Sequence, residues 1–546
     1  MSLQNPSIDS LPLLAGLSTT ALITIPMLIC FFGLMIGVGL SCRKHATNVD
    51  GFVLGGRSVG PWLTAFAFGT SYFSAVIFVG YAGQFGWNFG LASTWIGLGN
   101  AFIGSLLAWS VLGRRTRVMT QHLESKTMPD FFEKRYNSKN LKVVASFIVF
   151  VFLIPYTASL YNGLSSLFNN VFSIPYWVVV VVMAVLTGVY VIFGGYMATA
   201  INDFIQGIIM LVGIVAVIAA VLMQNGGFTA AVEALNASPQ AGPQFTSMFG
   251  PNPLFLLFVV LLTSLGTWGL PQMVGKFYSI KDEGSIKKGT IISTVFAVVV
   301  AGGCYFLGGF GKLYFADMLA AGHISETGAV LFDKVIPTML QNLSPIVVAL
   351  IIVLVLAASM STLSSLVLTS ASTLTLDVVV PMAEKNGPMS EKRRVLIMRL
   401  FIVFFVAISA VIAILKDSIW KDSVFIAQMM GVSWGALAGA FLAPFLYGLY
   451  WKKATKAAVA TSFAFGTGLE IVQLCISVGW LSVKGIPVLD FVFTNSLYSG
   501  VFAMLGGLIL VPIVSLFTQK TLPDGVDDKF SCYDKPVITN QKTSLG

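Results

Sequence analysis

Residues 356–373 read LAASMSTLSSLVLTSAST, and the run leading into them, PIVVALIIVLV, is apolar apart from its proline. On a helix, Ala358, Ser361, Thr362, Ser365, Thr369, Ser372 and Thr373 share one stripe by i, i+3, i+4 spacing. Hydroxyls in an apolar helix commonly bond back to their own carbonyls, so one or two would need no other reason. Here the adjacent pair Ser361–Thr362 stands one turn after Ala358, whose carbonyl is loosened if two hydroxyls compete for the helix bonds. Three neutral oxygens from one helix, joined by two free carbonyls from an unwound one, make a five-oxygen cage. Such a cage suits a desolvated, hard, monovalent cation, Na+, and lacks the carboxylates a divalent ion wants.

Two stretches offer the unwound partner. Residues 61–84, PWLTAFAFGTSYFSAVIFVGYAGQ, and 253–273, PLFLLFVVLLTSLGTWGLPQM, are apolar until a Gly-Thr step, Gly69–Thr70 and Gly266–Thr267. The second adds Gly269-Leu270-Pro271. Within a helix, glycine costs about 1 kcal/mol and proline about 3 kcal/mol, so both sites permit unwinding. In a membrane, unwound backbone is tolerated only under cover of protein or a water cavity, and paired breaks mark a solute and ion site. The hydroxyl helix is expected to face the break at Gly69–Ser74.

The membrane reading rests on composition. Of 546 residues, 56% are hydrophobic and 10% charged, with mean hydropathy +0.86, against about 25% charged in soluble domains. Long apolar runs call for an all-α, polytopic protein rather than a barrel. We expect about thirteen spans: 15–41, 61–84, 91–112, 143–168, 175–195, 201–224, 253–273, 290–314, 345–376, 396–415, 423–449, 457–480 and 495–518. The two broken spans stand five apart, which suggests a 5+5 inverted repeat. That divides the chain into an extra N-terminal helix and loop (1–60), a transport core (61–449, its halves about 61–224 and 253–449), two peripheral helices (450–518) and a tail (519–546).

Most of the 32 Lys and Arg fall in alternate connections, among them KFYSIKDEGSIKK at 276–288. The opposite set holds Lys312, Lys334, Lys416, Lys421 and Lys484. The positive-inside rule then puts the N-terminus outside and the C-terminus in the cytoplasm of a plasma (cell inner) membrane protein. The net charge of +9 is thus a topology signal and not a sign of nucleic-acid binding. On the outer side, GHISETGAVLFDKVIPTMLQ reads as a partly helical lid. The five cysteines and three histidines have no metal or redox spacing, and no basic leader precedes the first span.

Three motifs resemble the sodium/solute symporter family, which has the leucine-transporter type of fold. They are GFVLGGRSVGPWLTAFAFGTSYFSA, the Gly-Gly, Asp and Gln signature in YVIFGGYMATAINDFIQG (190–207), and AASMSTLSS. The stretch GLPQMVGKFYSIKDEGSIKKGTIIS resembles the pantothenate branch most and the proline branch more loosely. The resemblance implies sodium held by backbone oxygens of Thr70 and Phe73, the carbonyl of Ala358 and the hydroxyls of Ser361 and Thr362. It also implies Asp203 as a way-station on the sodium exit path. The proline branch carries an acid where this chain has Tyr72, which weakens a proline assignment.

By position, the solute is expected between the breaks, against Ser74, Gln84, Thr267, Trp268 and Gln272, with Tyr156, Asn162 and Gln428 from neighbouring helices. The span middles carry no Arg or Lys, which points away from strongly anionic solutes. A monocarboxylate, a pantothenate-like compound or an amino acid fits, met by helix N-termini. Na+ is the one coupling ion expected, with no other cofactor and no obligatory protein partner. Glu470 reads as a paired structural acid or a proton site. Proton coupling on the same fold and a transporter-like sensor are the alternatives. An enzyme is not expected, for want of a nucleophile–base or metal constellation.

Overall fold

The computed structural model describes residues 19–71, 73–172, 174–419 and 425–534. Every named element among them is helical. In chain order they include α1 (Thr19–Ser41), α2 (Pro61–Thr70), α3 (Ala82–Phe89), α4 (Lys139–Phe172), α5 (Tyr176–Gln224), α6 (Pro253–Leu265), α7 (Pro271–Tyr278) and α8 (Glu283–Ala297). They continue with α9 (Pro345–Leu374), α10 (Glu391–Ile419), α11 (Phe425–Tyr450), α12 (Lys456–Ser477) and α13 (Ser496–Phe517).

Ten helical runs among the described residues are long and apolar enough to cross a membrane, and α6 with α7, bent by 47°, makes an eleventh. Two runs are too long for one crossing. The α5 run of 49 residues would extend about 74 Å at 1.5 Å per residue, more than twice a hydrocarbon core of about 30 Å. It breaks at Gly195 (φ 55°, ψ −148°). The run Val76–His122, 47 residues long, breaks at Gly90 (φ 62°). Counting each as two passes, and joining α2 to the first of them, gives thirteen.

Both turn positions need glycine. Their φ values lie in the left-handed region, and an added Cβ would fall 2.9 Å from the Phe52 carbonyl oxygen at Gly195 and 2.2 Å from that of Phe245 at Gly90.

At the centre runs α9, buried almost continuously from Ile351 to Leu374. It packs against α1, α4, α5 and α10. Small residues let helix axes approach closely at the periphery, where a Cβ on Gly466 of α12 would fall 2.4 Å from Gly439 of α11. The segment read as a lid is partly helical, with turns at Phe332–Lys334 and Val335–Leu340. It seats on the start of α3, where a Cβ on Gly83 would meet the Phe332 carbonyl oxygen at 2.6 Å.

Gly195→Ala is expected to destabilise the protein by about 1–2 kcal/mol from the left-handed backbone, plus the contact with Phe52. The check is the melting temperature in detergent. Gly37→Ala, where a Cβ meets nothing within 4 Å, should leave it unchanged.

Candidate functional site

The α2 helix ends at Thr70, Phe73 and Ser74 are non-helical, and helix resumes at Ala75. The Thr70 carbonyl oxygen is met by two hydroxyls of α9, Ser361 Oγ at 3.1 Å and Thr362 Oγ1 at 3.2 Å. The same hydroxyls lie 2.9 and 3.2 Å from the Ala358 carbonyl oxygen. Two carbonyls and two hydroxyls thus converge in a patch where all four residues are buried. Phe73 lies in the unwound stretch and is buried. Ser359 on α9 accepts the backbone N–H of Ala75 at 3.1 Å.

Glycines set this approach. A Cβ on Gly207 of α5 would fall 2.3 Å from the Phe66 ring and 3.1 Å from Thr70 Cγ2, and one on Gly69 would fall 2.5 Å from the Phe296 ring. The Gly-Gly pair and final Gly of the 190–207 motif therefore have separate tasks: Gly195 turns the chain, and Gly207 admits α2.

The hydroxyl stripe divides along its length. Ser361 and Thr362 face the break, and Ser365 Oγ lies 2.9 Å from Ser71 Oγ. Further down, Ser372 bonds back to the Leu368 carbonyl at 2.7 Å, the ordinary use of a helical hydroxyl. Thr369, Ser372 and Thr373 line a cavity with Gln272, Tyr196, Lys276, Lys126 and Thr127. Its water-accessible space is about 50 Å3, enough for a few waters. It leads from the second break towards the basic connections.

Asp203 on α5 is fully buried. Its partner is Lys276, whose Nζ lies 3.6 Å from Oδ2. The sequence reading put Lys276 in a basic connection; the structure places it in the last turn of α7. Helix restarts at Pro271 and carries on to Tyr278, drawing Lys276 into the protein at 3% exposure. The signal lay in the spacing, since Gln272 and Lys276 are i, i+4 on one helix face.

The solute candidates separate into groups. Ser74 Oγ, Tyr156 OH and both amide atoms of Gln272 are buried and have no hydrogen-bond partner within the protein. Tyr156 packs edge-on to Trp434, with ring centroids 5.9 Å apart, and the Trp434 indole N–H is likewise unpartnered. The sequence reading missed Trp434, which sits among small residues of α11. By contrast, Thr267 Oγ1 donates back to the Ser264 carbonyl at 2.7 Å, and the Trp268 indole donates to the Ile103 carbonyl at 3.0 Å. These two serve the packing of the bend. Gln84 and Gln428 are half-buried. The Asn162 side chain and Tyr72 lie outside the described residues.

Glu470 on α12 is fully buried. Among the described ion pairs none involves it, and the Ser499 hydroxyl stands against its carboxyl.

Two broken helices crossing beside a buried hydroxyl helix define a multi-pass membrane transporter. Residues 52–465 match the sodium:solute symporter family. Sodium/proline symporters of Staphylococcus aureus strains JH9 and JH1 are 29% identical over 508 residues, covering 90% of this chain and 92% of each relative. A Na+-coupled sialic acid symporter, solved substrate-bound and outward-open, superposes with a TM-score of 0.71 at 17% identity, covering 91% of this chain and 97% of that one. The chain belongs to the sodium:solute symporter family. It has the leucine-transporter type of fold, and Na+ is its coupling ion.

Trp268→Phe removes one buried hydrogen bond and is expected to lower stability by about 1 kcal/mol. The KM for the transported solute should stay within about two-fold of wild type, by the same reasoning that the indole serves packing. Gln272→Ala should raise that KM instead. Thermal melts paired with uptake kinetics check both.

Proposed function

We propose that the protein imports a small, singly charged or zwitterionic organic solute with Na+ by alternating access. The solute class is an amino acid, a monocarboxylate or a pantothenate-like compound. The names of the Staphylococcus aureus relatives support the amino-acid option. The buried Lys276 does not argue for a strongly anionic solute, because Asp203 balances its charge.

The reading rests on the convergence of the Thr70 and Ala358 carbonyls with the Ser361 and Thr362 hydroxyls. In this proposal Na+ takes those four oxygens and the Phe73 carbonyl as ligands. It draws the break of α2 onto α9 and so orders Ser74 and its neighbours for the solute. Each ligand then raises the affinity for the other by the same factor. Ser74, Tyr156, Trp434 and Gln272 supply buried donors and acceptors that a solute would satisfy, each otherwise a cost of about 1–3 kcal/mol. Na+ leaves past Ser71 into the cavity beside Gln272. The excess of basic residues in alternate connections supports an N-terminus outside and a C-terminus in the cytoplasm. The inward potential then assists entry by about 2.3 kcal/mol per charge at 100 mV.

The test is a melting-temperature matrix on purified protein, crossing Na+ and K+ at constant ionic strength with amino acids, monocarboxylates and pantothenate. A ligand that binds only the folded state raises apparent stability. One solute class should stabilise with Na+ and not with K+. Thr362→Ala should raise the Na+ concentration needed by about tenfold, the worth of one ligand at about 1.4 kcal/mol. Solute stabilisation indifferent to Na+, or an unchanged Na+ requirement in Thr362→Ala, would count against the assignment.

A further inference from the structure

Three elements meet on one ammonium. Lys276 of α7 donates from Nζ to Ser365 Oγ of α9 at 3.0 Å and stands 3.6 Å from Asp203 Oδ2 of α5. It also faces the Tyr196 ring at 5.3 Å from its centroid. The Lys276 and Asp203 side chains are 4% and 0% exposed. Ser365 lies one turn along α9 from the Ser361–Thr362 pair and touches Ser71, the residue after Thr70. The ammonium is therefore held by a residue one helical turn from the Ser361–Thr362 pair.

A buried carboxylate must hold a compensating cation, and removing its partner leaves an uncompensated charge in low dielectric. At 3.6 Å the Lys276–Asp203 contact is longer than a charge-assisted hydrogen bond, about 2.7–2.9 Å. Neither Asp203 oxygen has a hydrogen-bond partner within the protein. Asn202 Oδ1 beside it and Gln206 Oε1 one turn on are also buried and unpartnered, their amide nitrogens being turned to Met35 of α1. A carboxylate and a serine hydroxyl are hard donors of the kind that ligate alkali and alkaline-earth cations. The cation that these two face belongs to the protein itself.

We infer that Lys276 is a resident cation, tethered between Asp203 and Ser365, that fills what would be a second Na+ position and limits the protein to one bound Na+. Lys276 acts by occupying and positioning, not by touching the solute. The inference rests on the sodium site proposed above, and it adds to that site a reason for its stoichiometry.

Equilibrium binding of radiosodium to the purified full-length protein tests it. Wild type should bind one Na+ per chain with a Hill coefficient near one, and Lys276→Met should bind two with a coefficient between one and two. Lys276→Arg, which keeps the charge, and the double variant Lys276→Met/Asp203→Asn, which removes both charges, should each return to one. Two ions in wild type, or one in Lys276→Met, overturns the inference while leaving sodium coupling in place. No radiosodium on wild type defeats the proposed sodium site as well. Should Lys276→Met not survive purification, Lys276→Gln carries the same expectation, and one ion there also overturns it.

Discussion

An unwound peptide in the middle of a membrane must have its polar groups satisfied by protein, because no water is there to do it. Here the group in question is the carbonyl of Thr70, and the hydroxyls of Ser361 and Thr362 satisfy it. Much else follows from this contact. The hydroxyls must be buried, so α9 takes the centre of the molecule. The break must come within reach, so α5 and α8 lie hard against α2, the first through Gly207 and the second through the Phe296 ring against Gly69. A hydroxyl pair set between two carbonyls is also readily lent to a cation, since a hydroxyl offers lone pairs as well as a proton.

The second break is satisfied differently. After the turn Gly266–Gly269, Leu270 is extended (φ −85°, ψ 119°) and its N–H bonds to the Thr267 carbonyl at 3.2 Å. A Cβ on Gly269 would fall 2.8 Å from the α11 backbone at Ala438. Close backbone packing covers this break, where hydroxyls cover the first. The two halves thus share a plan but not a chemistry: neutral oxygens gather at one break, and a lysine reaches back from the other.

The thirteen passes and both breaks were legible in the sequence because they depend on apolar length and on glycine and proline, which act locally. The Ser361–Thr362 pair was legible because an adjacent pair of hydroxyls one turn from a small residue has few uses in an apolar helix. Lys276 was not. A lysine between Gly275 and Phe277 at the end of an apolar run reads as the start of a loop, and only the position of Asp203, in another helix, shows that it stays inside. Trp268 misled for a related reason, since an indole beside a break suggests stacking on a solute until the Ile103 carbonyl is seen to hold it. Trp434 and Tyr156 belong to separate helices, and their meeting is a matter of packing that no local pattern encodes.

The partners at the first break are 291 residues apart in sequence. At synthesis rates of about 5–20 residues per second, the ribosome reaches Ser361 about 15–60 s after it has made Thr70. For that interval the residues of the break have no hydroxyls to lean on. The nascent α2 must therefore stay wound through Thr70 or remain sheltered by the insertion machinery, and it opens only when α9 arrives. Biogenesis of the first half is thus tied to completion of the second, and a chain cut short before α9 would leave its most polar backbone facing lipid.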